Sequence, residues 1–436
     1  MIDKQRLCYC ALLLALFASA AQADDTQATD ARFQSTYVWQ GKPAFGAPYS
    51  GQNSLGISRQ KSYSFTATAF LGARIWPGGE VYFNPEVAQG VPLSSLTGLG
   101  GFTNGEIART SGPNPNIYRA RLFMRQTWGL GDAPEALESE PNQLAGKVDS
   151  KRLVLSAGNL SALDIFDDNA YSHEPRQQFL NWSLYTHGAW DYPADARGYS
   201  WGAALEYITP GWALRAGRFL QPRQSNGLQL NYSVANSYGD MLEFERAHAL
   251  GGNPGRIRLL AFHNRANMGG FRDALLSAPA GGVPDLAGTR RFRDKHGYAV
   301  NIEQAVNKTV GAFLRASWNN GEAETYAFTE IDRSLSGGVF IRGSAWRRAE
   351  DKLGVALVRN GLSSAHRDYL AAGGLGFFLG DGRLNYRQEQ IVEAFYNMKL
   401  GKRYWITLDA QRIVNPAYNA DRGPAKILSV RLHTEF

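Results

Sequence analysis

The last nine residues of the chain constrain its fold more than any other segment. Counting back from Phe436, every second side chain belongs to a largely apolar set, and the residues between them are polar or charged. The first set is Thr434, Leu432, Val430 and Leu428, and the second is Glu435, His433, Arg431 and Ser429. Because successive side chains of a β-strand point to opposite faces, this pattern predicts a two-faced strand. Such a strand suits either a soluble sandwich or a wall between lipid and a watery lumen.

The amino terminus indicates export. Basic residues precede an apolar run over Ala11–Ala18, and small residues follow, ending at Ala21-Gln22-Ala23. This order is typical of a secretory signal peptide, so residues 1–23 are predicted to be removed and 24–436 to form the mature protein. Both cysteines, Cys8 and Cys10, lie within the predicted peptide. The mature chain is therefore expected to have no disulfide, no thiolate metal ligand and no cysteine nucleophile.

Composition fits a membrane barrel better than its low hydropathy suggests. The full chain has a net charge of +7, which falls to about +6 once the signal peptide is removed. No run of eighteen apolar residues occurs after the signal peptide, as expected when only alternate residues of a strand face lipid. Export argues against a nucleic-acid partner, so the basic balance is better explained by a positively lined pore.

Alternating segments recur along the chain and are joined by short polar turns. Three predicted hairpins are Ser200–Tyr207 with Trp212–Ala216, Tyr298–Glu303 with Val310–Trp318, and Val392–Leu400 with Tyr404–Ala410. Long loops are expected at the opposite end, in segments rich in Gly, Pro, Asn, Asp and Ser. They are Gly90–Asn116, Asp132–Lys151, Asp167–Arg197 and Met268–Lys295. The predicted fold is all-β: a closed antiparallel transmembrane β-barrel of roughly 16 strands, with no second domain.

Two neighbouring segments place charged residues on the predicted lumen face. Strict alternation over Tyr118–Trp128 puts Arg119, Arg121 and Arg125 on one face, and facing lipid would cost them several kcal/mol. Alternation over Glu80–Glu86 sends Glu80, Tyr82, Asn84 and Glu86 to the same side. Arginine forks donate paired hydrogen bonds to hydroxyls or carboxylates, and nearby acidic groups leave little net field. This arrangement predicts a polar constriction that favours neutral polyols over ions, although the same charges could simply hold the wall together.

Aromatic residues on the polar faces suggest a second element of recognition. Tyr82, Phe123, Phe395 and Trp405 fall in the polar registers of their strands. An aromatic face can stack on the apolar face of a sugar ring while charged groups bind its hydroxyls. The alternative, that these bulky side chains only fill space in the lumen, is equally compatible with the sequence.

Patterns for catalysis or metal binding are weak. Asp164–Asn169 lacks the spacing of a dedicated calcium loop and is better explained as an arginine-paired or solvated turn. The histidines form no zinc-hydrolase motif, and no Gly-x-Ser-x-Gly elbow occurs. Gly98–Gly101 lacks phosphate-loop spacing and is expected to be a loop. The sequence therefore predicts no enzyme activity, no catalytic residue, no metal site and no cofactor.

Several longer motifs carry a family resemblance. They are Asp164–Tyr171, Gln178–Trp182, Gly188–Tyr199, Gly380–Tyr386 with Glu389 and Glu393, and the closing Gln411–Phe436. Together they resemble the carbohydrate-selective porin family of Gram-negative outer membranes, the OprB type. The resemblance implies a monomeric barrel of about sixteen strands, narrowed by inward loops, that admits sugars by diffusion. It also implies an eyelet of acidic and arginine residues, which maps here to Arg119, Arg121, Arg125 and Glu86.

The expected function is passive, selective diffusion of mono- and oligosaccharides across the outer membrane. A general ion or solute porin, or a channel that exports anionic polysaccharide, remain the alternatives. Expected partners are the sugar substrate, outer-membrane lipid and lipopolysaccharide, and the barrel-assembly machinery, which would recognise the terminal strand ending in Phe436. No nucleic-acid partner is expected.

Overall fold

The computed structural model describes residues 26–107 and 112–436. The predicted signal peptide and its cleavage point after Ala23 lie outside these residues. The strands are β1 Thr29–Lys42, β2 Gln60–Trp76, β3 Gly79–Val91, β4 Asn116–Gly129, β5 Pro134–Leu137, β6 Gly146–Asp149, β7 Arg152–Leu160, β8 Ser200–Ile208, β9 Trp212–Leu220, β10 Tyr238–Leu250, β11 Asn253–Met268, β12 Arg291–Ala305, β13 Val310–Asn319, β14 Arg333–Arg342, β15 Lys352–Gly361, β16 Glu389–Leu400, β17 Tyr404–Val414 and β18 Ala425–Glu435.

Helices are few and short. They are α1 Trp182–Tyr185, α2 Phe271–Ser277 and α3 Ser364–Ala371, with single turns of 3₁₀-helix elsewhere. None of the helices in the described ranges is long and apolar enough to cross a membrane.

Sixteen of the described strands close into one antiparallel barrel, and β5 and β6 form a separate two-stranded sheet. The barrel closes where β1 pairs with β18, from Gln34 opposite Glu435 to Gly41 opposite Leu428. Closure gives the edge strands hydrogen-bond partners, which a wall in lipid requires. The predicted fold class and strand number are confirmed.

The two faces of the wall follow the alternation of the sequence. In β18, Leu428 and Leu432 are exposed on the outer surface, whereas Arg431 and His433 are buried toward the lumen. The outward face of β8 and β9 carries aromatic residues beside the turn, where the rings of Tyr207 and Trp212 lie 5.3 Å apart. Such residues suit a membrane interface because they combine an apolar ring with a polar edge.

Loops and turns segregate to opposite ends of the barrel. The predicted long loops within Gly90–Asn116, Asp167–Arg197 and Met268–Lys295 lie at one end, and short turns such as 401–403 lie at the other. The prediction was wrong for Asp132–Lys151, which joins β4 to β7 at the turn end and contains β5 and β6. Composition indicates that a segment is a loop, but the direction of the preceding strand decides its end.

Several long loops fold into the lumen and fill much of it. Loops 92–107, 161–199, 320–332 and 362–388 meet in a buried aromatic cluster. The ring of Trp182 lies 5.0 Å from that of Phe102 and 5.4 Å from that of Phe328, and Phe102 lies 4.8 Å from Phe378. Edge-on and offset contacts at these distances stabilise aromatic pairs. The loops therefore form a packed plug.

Carboxylates on the barrel wall hold the plug by its backbone. Glu389 accepts hydrogen bonds from the backbone N–H groups of Gly100 and Gly101, at 3.0 and 2.8 Å. Glu393 accepts from those of Leu180 and Asn181, at 2.5 and 3.0 Å. Each of these side chains therefore satisfies two backbone donors of a loop. The positions of loops 92–107 and 161–199 are thus fixed through their main chains.

A buried charge cluster fixes the start of loop 161–199. Asp167 accepts from Nε of Arg315 at 2.9 Å and from the amide of Asn301 at 2.5 Å. Burial alone would raise the pKa of Asp167, but Arg315 and His187 outweigh it and lower the pKa to about 2. Burial lowers the pKa of His187 to about 4, so its ring is neutral at pH 7.

Candidate functional site

The plug leaves open space along the wall formed by β2, β3, β4 and β7. A narrow central cavity of about 100 Å³ lies between this wall and loop 161–199. A wider cavity of about 420 Å³ lies on the same side of the barrel, toward the turn end. Glu86 lines the central cavity and Glu80 the turn-side cavity. Six residues of one strand separate them by about 20 Å, so the cavities lie one above the other along the wall.

One arginine lines the central cavity between two carboxylates. Arg176, on loop 161–199, lies 3.1 Å from Glu106 and 3.9 Å from Glu86. Thr66 donates to Glu106 and Thr68 donates to Glu86, both at 2.6 Å. The carboxylates are therefore held by the wall as well as by the arginine. A cation from loop 161–199 therefore lies beside one carboxylate from loop 92–107 and one from β3.

The charge of the central cavity depends on pH through Glu106, whereas Arg176 stays charged. Burial raises the pKa of Glu106, and Arg176 offsets only part of that effect. Burial disfavours the charged form of Arg176, but Glu106, Glu174 and Glu86 outweigh it and raise the pKa of the guanidinium. Arg176 is therefore permanently charged, whereas Glu106 takes up a proton at a higher pH than an ordinary glutamate.

Two further arginines stack on tyrosines at the edge of this cavity. The guanidinium of Arg197 lies over the ring of Tyr118 at 4.5 Å, and the hydroxyl of Tyr118 donates to Glu86. Arg121 lies over the ring of Tyr199 at 5.2 Å and makes two hydrogen bonds to Asp164, at 2.7 and 2.6 Å. The Asp164 turn is thus arginine-paired, as predicted. Cation–π contacts and a bidentate ion pair orient these groups.

A second charged group lies toward the turn end. Glu80 is 3.1 Å from Arg74 and 4.0 Å from Arg125, and it accepts from the hydroxyl of Tyr82 at 2.7 Å. The guanidinium of Arg125 lies over the rings of Tyr82 and Phe123, at 5.2 and 5.6 Å. Charges of both signs therefore occur at two levels of the same wall.

The structure places seven of the eight predicted site residues on the lumen side. They are Glu80, Tyr82, Asn84, Glu86, Arg121, Phe123 and Arg125. Arg119 is different: its side chain is exposed and lies over the outward-facing ring of Trp201 at 5.2 Å.

A β-bulge explains why Arg119 does not share the face of Arg121. Asn84 pairs with Arg121 and Pro85 pairs with Arg119, so Ala120 has no partner on β3. One extra residue reverses the alternation beyond that point, which turns Tyr118 inward and Arg119 outward. The prediction of three arginines on one face was therefore wrong. Pro85, which cannot donate to the ladder, was the available signal.

The inward aromatic residues are packed rather than open. Tyr82 and Phe123 are 2% and 4% exposed, and their rings stack at 5.0 Å. Phe395 packs edge-on against Phe179 of loop 161–199. This geometry favours the space-filling alternative over a platform for sugar rings. Asn84 is fully buried, and neither of its amide atoms has a partner within the described part of the chain.

Sequence reasoning missed Arg176, Glu106 and Tyr118 at the central cavity. Arg176 and Glu106 lie in irregular loops, where no periodicity assigns a face. Tyr118 was placed toward lipid because the bulge was not recognised. The motif Gln178–Trp182, which supported the resemblance, begins two residues after Arg176. It was the available sign that this loop carries residues of the site.

A closed sixteen-strand barrel, narrowed by inward loops that carry charges to one wall, is the architecture of an outer-membrane porin. A family model described as carbohydrate-selective porin, OprB family, matches residues 59–436. The chain belongs to this family, and its location is the outer membrane.

Solved structures share the fold at low sequence identity. OprB of Pseudomonas putida, solved at high pH, is 15% identical, with 94% of each chain covered and a TM-score of 0.70. The outer-membrane channel DcaP of Acinetobacter baumannii is 8% identical, with 96% of this chain and 100% of that chain covered and a TM-score of 0.54. No curated protein matches the chain.

Proposed function

We propose that the barrel is a passive channel for neutral sugars, and that the central cavity selects them. The observation that carries this proposal is the position of Arg176, within 4 Å of both Glu86 and Glu106. An ion of either sign meets both an attractive and a repulsive group there, whereas a hydroxyl can donate to a carboxylate and accept from the guanidinium. The proposed substrates are monosaccharides and short oligosaccharides.

Passive transport requires binding that is favourable enough for entry and weak enough for release. Charged groups that are already paired with each other suit this requirement. A passing sugar forms transient hydrogen bonds to them and meets no uncompensated charge. The proposal assigns the constriction to Arg176, Glu106 and Glu86, with Arg121 and Tyr118 at its edge. Among the residues predicted from sequence, Glu80, Tyr82, Asn84, Phe123 and Arg125 belong to the wall below it.

We further propose a single barrel domain over residues 24–436 that works as a monomer after cleavage at Ala23. Its outward face would contact lipid and lipopolysaccharide, and β18 would be read by the barrel-assembly machinery. No cofactor, metal or catalytic step is part of the proposal.

Single-channel conductance in a planar bilayer tests the proposed function. Glucose, a neutral disaccharide and a uronate are titrated against the wild-type channel. Saturable block by the neutral sugars is expected. Block by the uronate alone would instead indicate an anionic-polysaccharide channel, and no block by any of the three would indicate a general porin.

The variant Arg176→Gln tests the constriction itself. Removing the cation takes one positive charge and one hydrogen-bond donor from the cavity, so cation selectivity should rise and sugar block should weaken by about tenfold, the equivalent of one charge-assisted hydrogen bond. Reversal potential and sugar titration are the measurements. Unchanged values in both would place the constriction elsewhere.

A further inference from the structure

The connection between β4 and β7 differs from its neighbours at the turn end. Residues 130–151 contain β5 and β6, whereas β2 and β3 are joined by residues 77–78 alone. Its tip folds back to the lumen. The carbonyl of Asn142 accepts from Arg125 at 2.8 Å, and the N–H of Leu144 donates to the hydroxyl of Tyr82 at 3.2 Å. Leu144 is 1% exposed, so the segment is packed into the mouth of the barrel.

Residues 130–151 are held by contacts to strands on both sides. Arg32 of β1 donates to the carbonyl of Ser139 at 2.7 Å and to its hydroxyl at 2.6 Å. Arg152 of β7 pairs with Glu135 at 2.5 Å. Strands β1, β2, β3, β4 and β7 are consecutive around the barrel. The segment therefore covers the part of the turn-side opening that is bounded by β1–β4 and β7, below the central cavity.

The turn-side cavity of about 420 Å³ lies between this segment and the wall, within the size range of small-ligand pockets. Four basic and four acidic side chains line it: Arg74, Arg125, Lys147, Arg152, Glu80, Asp149, Asp164 and Glu206. Equal numbers of opposite charges leave little net attraction for an ion. They do supply many donors and acceptors, which suits a neutral, polyhydroxylated ligand.

One buried polar atom at this cavity is left without a partner. Arg74 lines the cavity, and its Nε is buried and unpaired within the described residues. Because buried polar atoms are nearly always paired, this free donor favours a ligand that carries acceptor oxygens, as hydroxyl groups do.

We infer that the turn-side cavity is a second sugar subsite, through which a neutral sugar passes on leaving the central constriction. This inference rests on the proposed function and extends it. Glu80 and Glu86 lie about 20 Å apart along β3, so a single sugar ring occupies one level at a time, whereas an oligosaccharide contacts both. The 130–151 segment is then part of the sugar path.

Point variants and a deletion test the subsite in the full-length channel. Arg74→Gln and Glu206→Gln remove one charge each from the cavity lining, and a Gly-Ser-Gly linker in place of residues 134–148 removes its outer wall. Each point variant should weaken block by a neutral trisaccharide about fivefold, as expected for one lost hydrogen bond to a charged group, and the deletion should weaken it by at least as much. The matched control is Lys402→Gln, on the exposed turn 401–403, which should leave block unchanged.

The outcomes separate this inference from the proposed function. A wild-type channel that no neutral sugar blocks would overturn both. A wild-type channel that is blocked, with wild-type affinity in both point variants, would overturn the turn-side subsite alone. Heat-modifiable migration on a gel reports barrel folding, and the point variants decide the matter if the deletion does not fold.

Discussion

At the scale of single residues, the pore depends on which arginines point inward. Arg121 makes a bidentate pair with Asp164, which lines the turn-side cavity, whereas Arg119, two positions earlier, lies over Trp201 on the outer face. Both are arginines of one strand, and composition does not distinguish them. Because of their surroundings, we expect Arg121 to affect sugar transport and Arg119 not to.

Arg121→Gln and Arg119→Gln form a matched pair that tests this difference. Loss of the Arg121 fork should weaken neutral-sugar block about tenfold, because a bidentate charged contact at the edge of the cavity is removed. Arg119→Gln should leave block within twofold of wild type, since Arg119 lies on the opposite face of β4 from Arg121 and does not line the central cavity. Sugar titration of single-channel current is the measurement. Equal effects of both variants would contradict the bulge-based assignment.

Glu106 should make ion selectivity depend on pH. Its raised pKa means that acidification neutralises it before ordinary glutamates, while Arg176 stays charged. The central cavity then gains net positive charge as pH falls, and the reversal potential should shift toward anions. In Glu106→Gln this carboxylate is already neutral, so the shift should be largely absent. A shift of the same size in the variant would assign the effect to another group.

At the scale of elements, wall carboxylates that bind loop backbone determine the width of the pore. Loop 161–199 carries Arg176 and is held by Glu393 through the N–H groups of Leu180 and Asn181. Loss of these hydrogen bonds should make loop 161–199 more mobile, and the conductance of the pore should change as a result. The barrel strands, whose ladders are independent of Glu393, should stay intact.

Glu393→Gln tests the anchor. The introduced amide NH₂ group faces a backbone N–H donor, and leaving that donor unsatisfied costs about 1–3 kcal/mol. We expect larger and noisier conductance and faster proteolysis within residues 161–199. The control is Glu350→Gln, which changes an exposed carboxylate on a turn. A variant indistinguishable from this control would show that other contacts suffice to hold the loop.

The same elements show how far the sequence predicts this protein. Alternation identified β18 and the hairpin partners because one lipid face and one wet face impose period two on every strand. It failed at Ala120, where one inserted residue reverses the register, and it assigned no face to Arg176 or Glu106 in loops. It also could not tell that Asp132–Lys151 turns back under the barrel, since that depends on pairing across the whole sheet.

At the scale of the whole molecule, the barrel is closed by the pairing of its first and last strands. The backbone N–H of Phe436 donates to the carbonyl of Phe33 at 2.8 Å, the N–H of Phe33 donates to the carbonyl of Phe436 at 3.0 Å, and the two rings lie 6.3 Å apart. The ring of Tyr404 and the guanidinium of Arg403 also contact Phe436. Phe436 therefore adds both backbone and ring contacts to the ladder that closes the barrel.

Phe436→Ala should reduce the amount of assembled barrel in the outer membrane. Lost aromatic contacts at the seam cost about 0.5–1.5 kcal/mol each, and the proposed recognition of β18 by the assembly machinery would be weakened as well. Heat-modifiable migration of membrane fractions measures the folded fraction. Phe292→Ala, an outward phenylalanine away from the seam, is the control. An equal loss of folded barrel in both variants would show that Phe436 contributes no more than any phenylalanine that faces lipid.

Glu389 and Glu393 accept hydrogen bonds from main-chain N–H groups. Every residue except proline supplies such a group in the same form. The side chains of loops 92–107 and 161–199 are therefore not what keeps those loops in place at these points. Mutations that change the chemistry at the centre of the pore leave these backbone anchors in place, as long as the aromatic cluster and the Asp167 contacts that also hold the loops are kept. One scaffold can in this way diversify toward new solutes by point substitution alone, and the same freedom is open to the protein engineer.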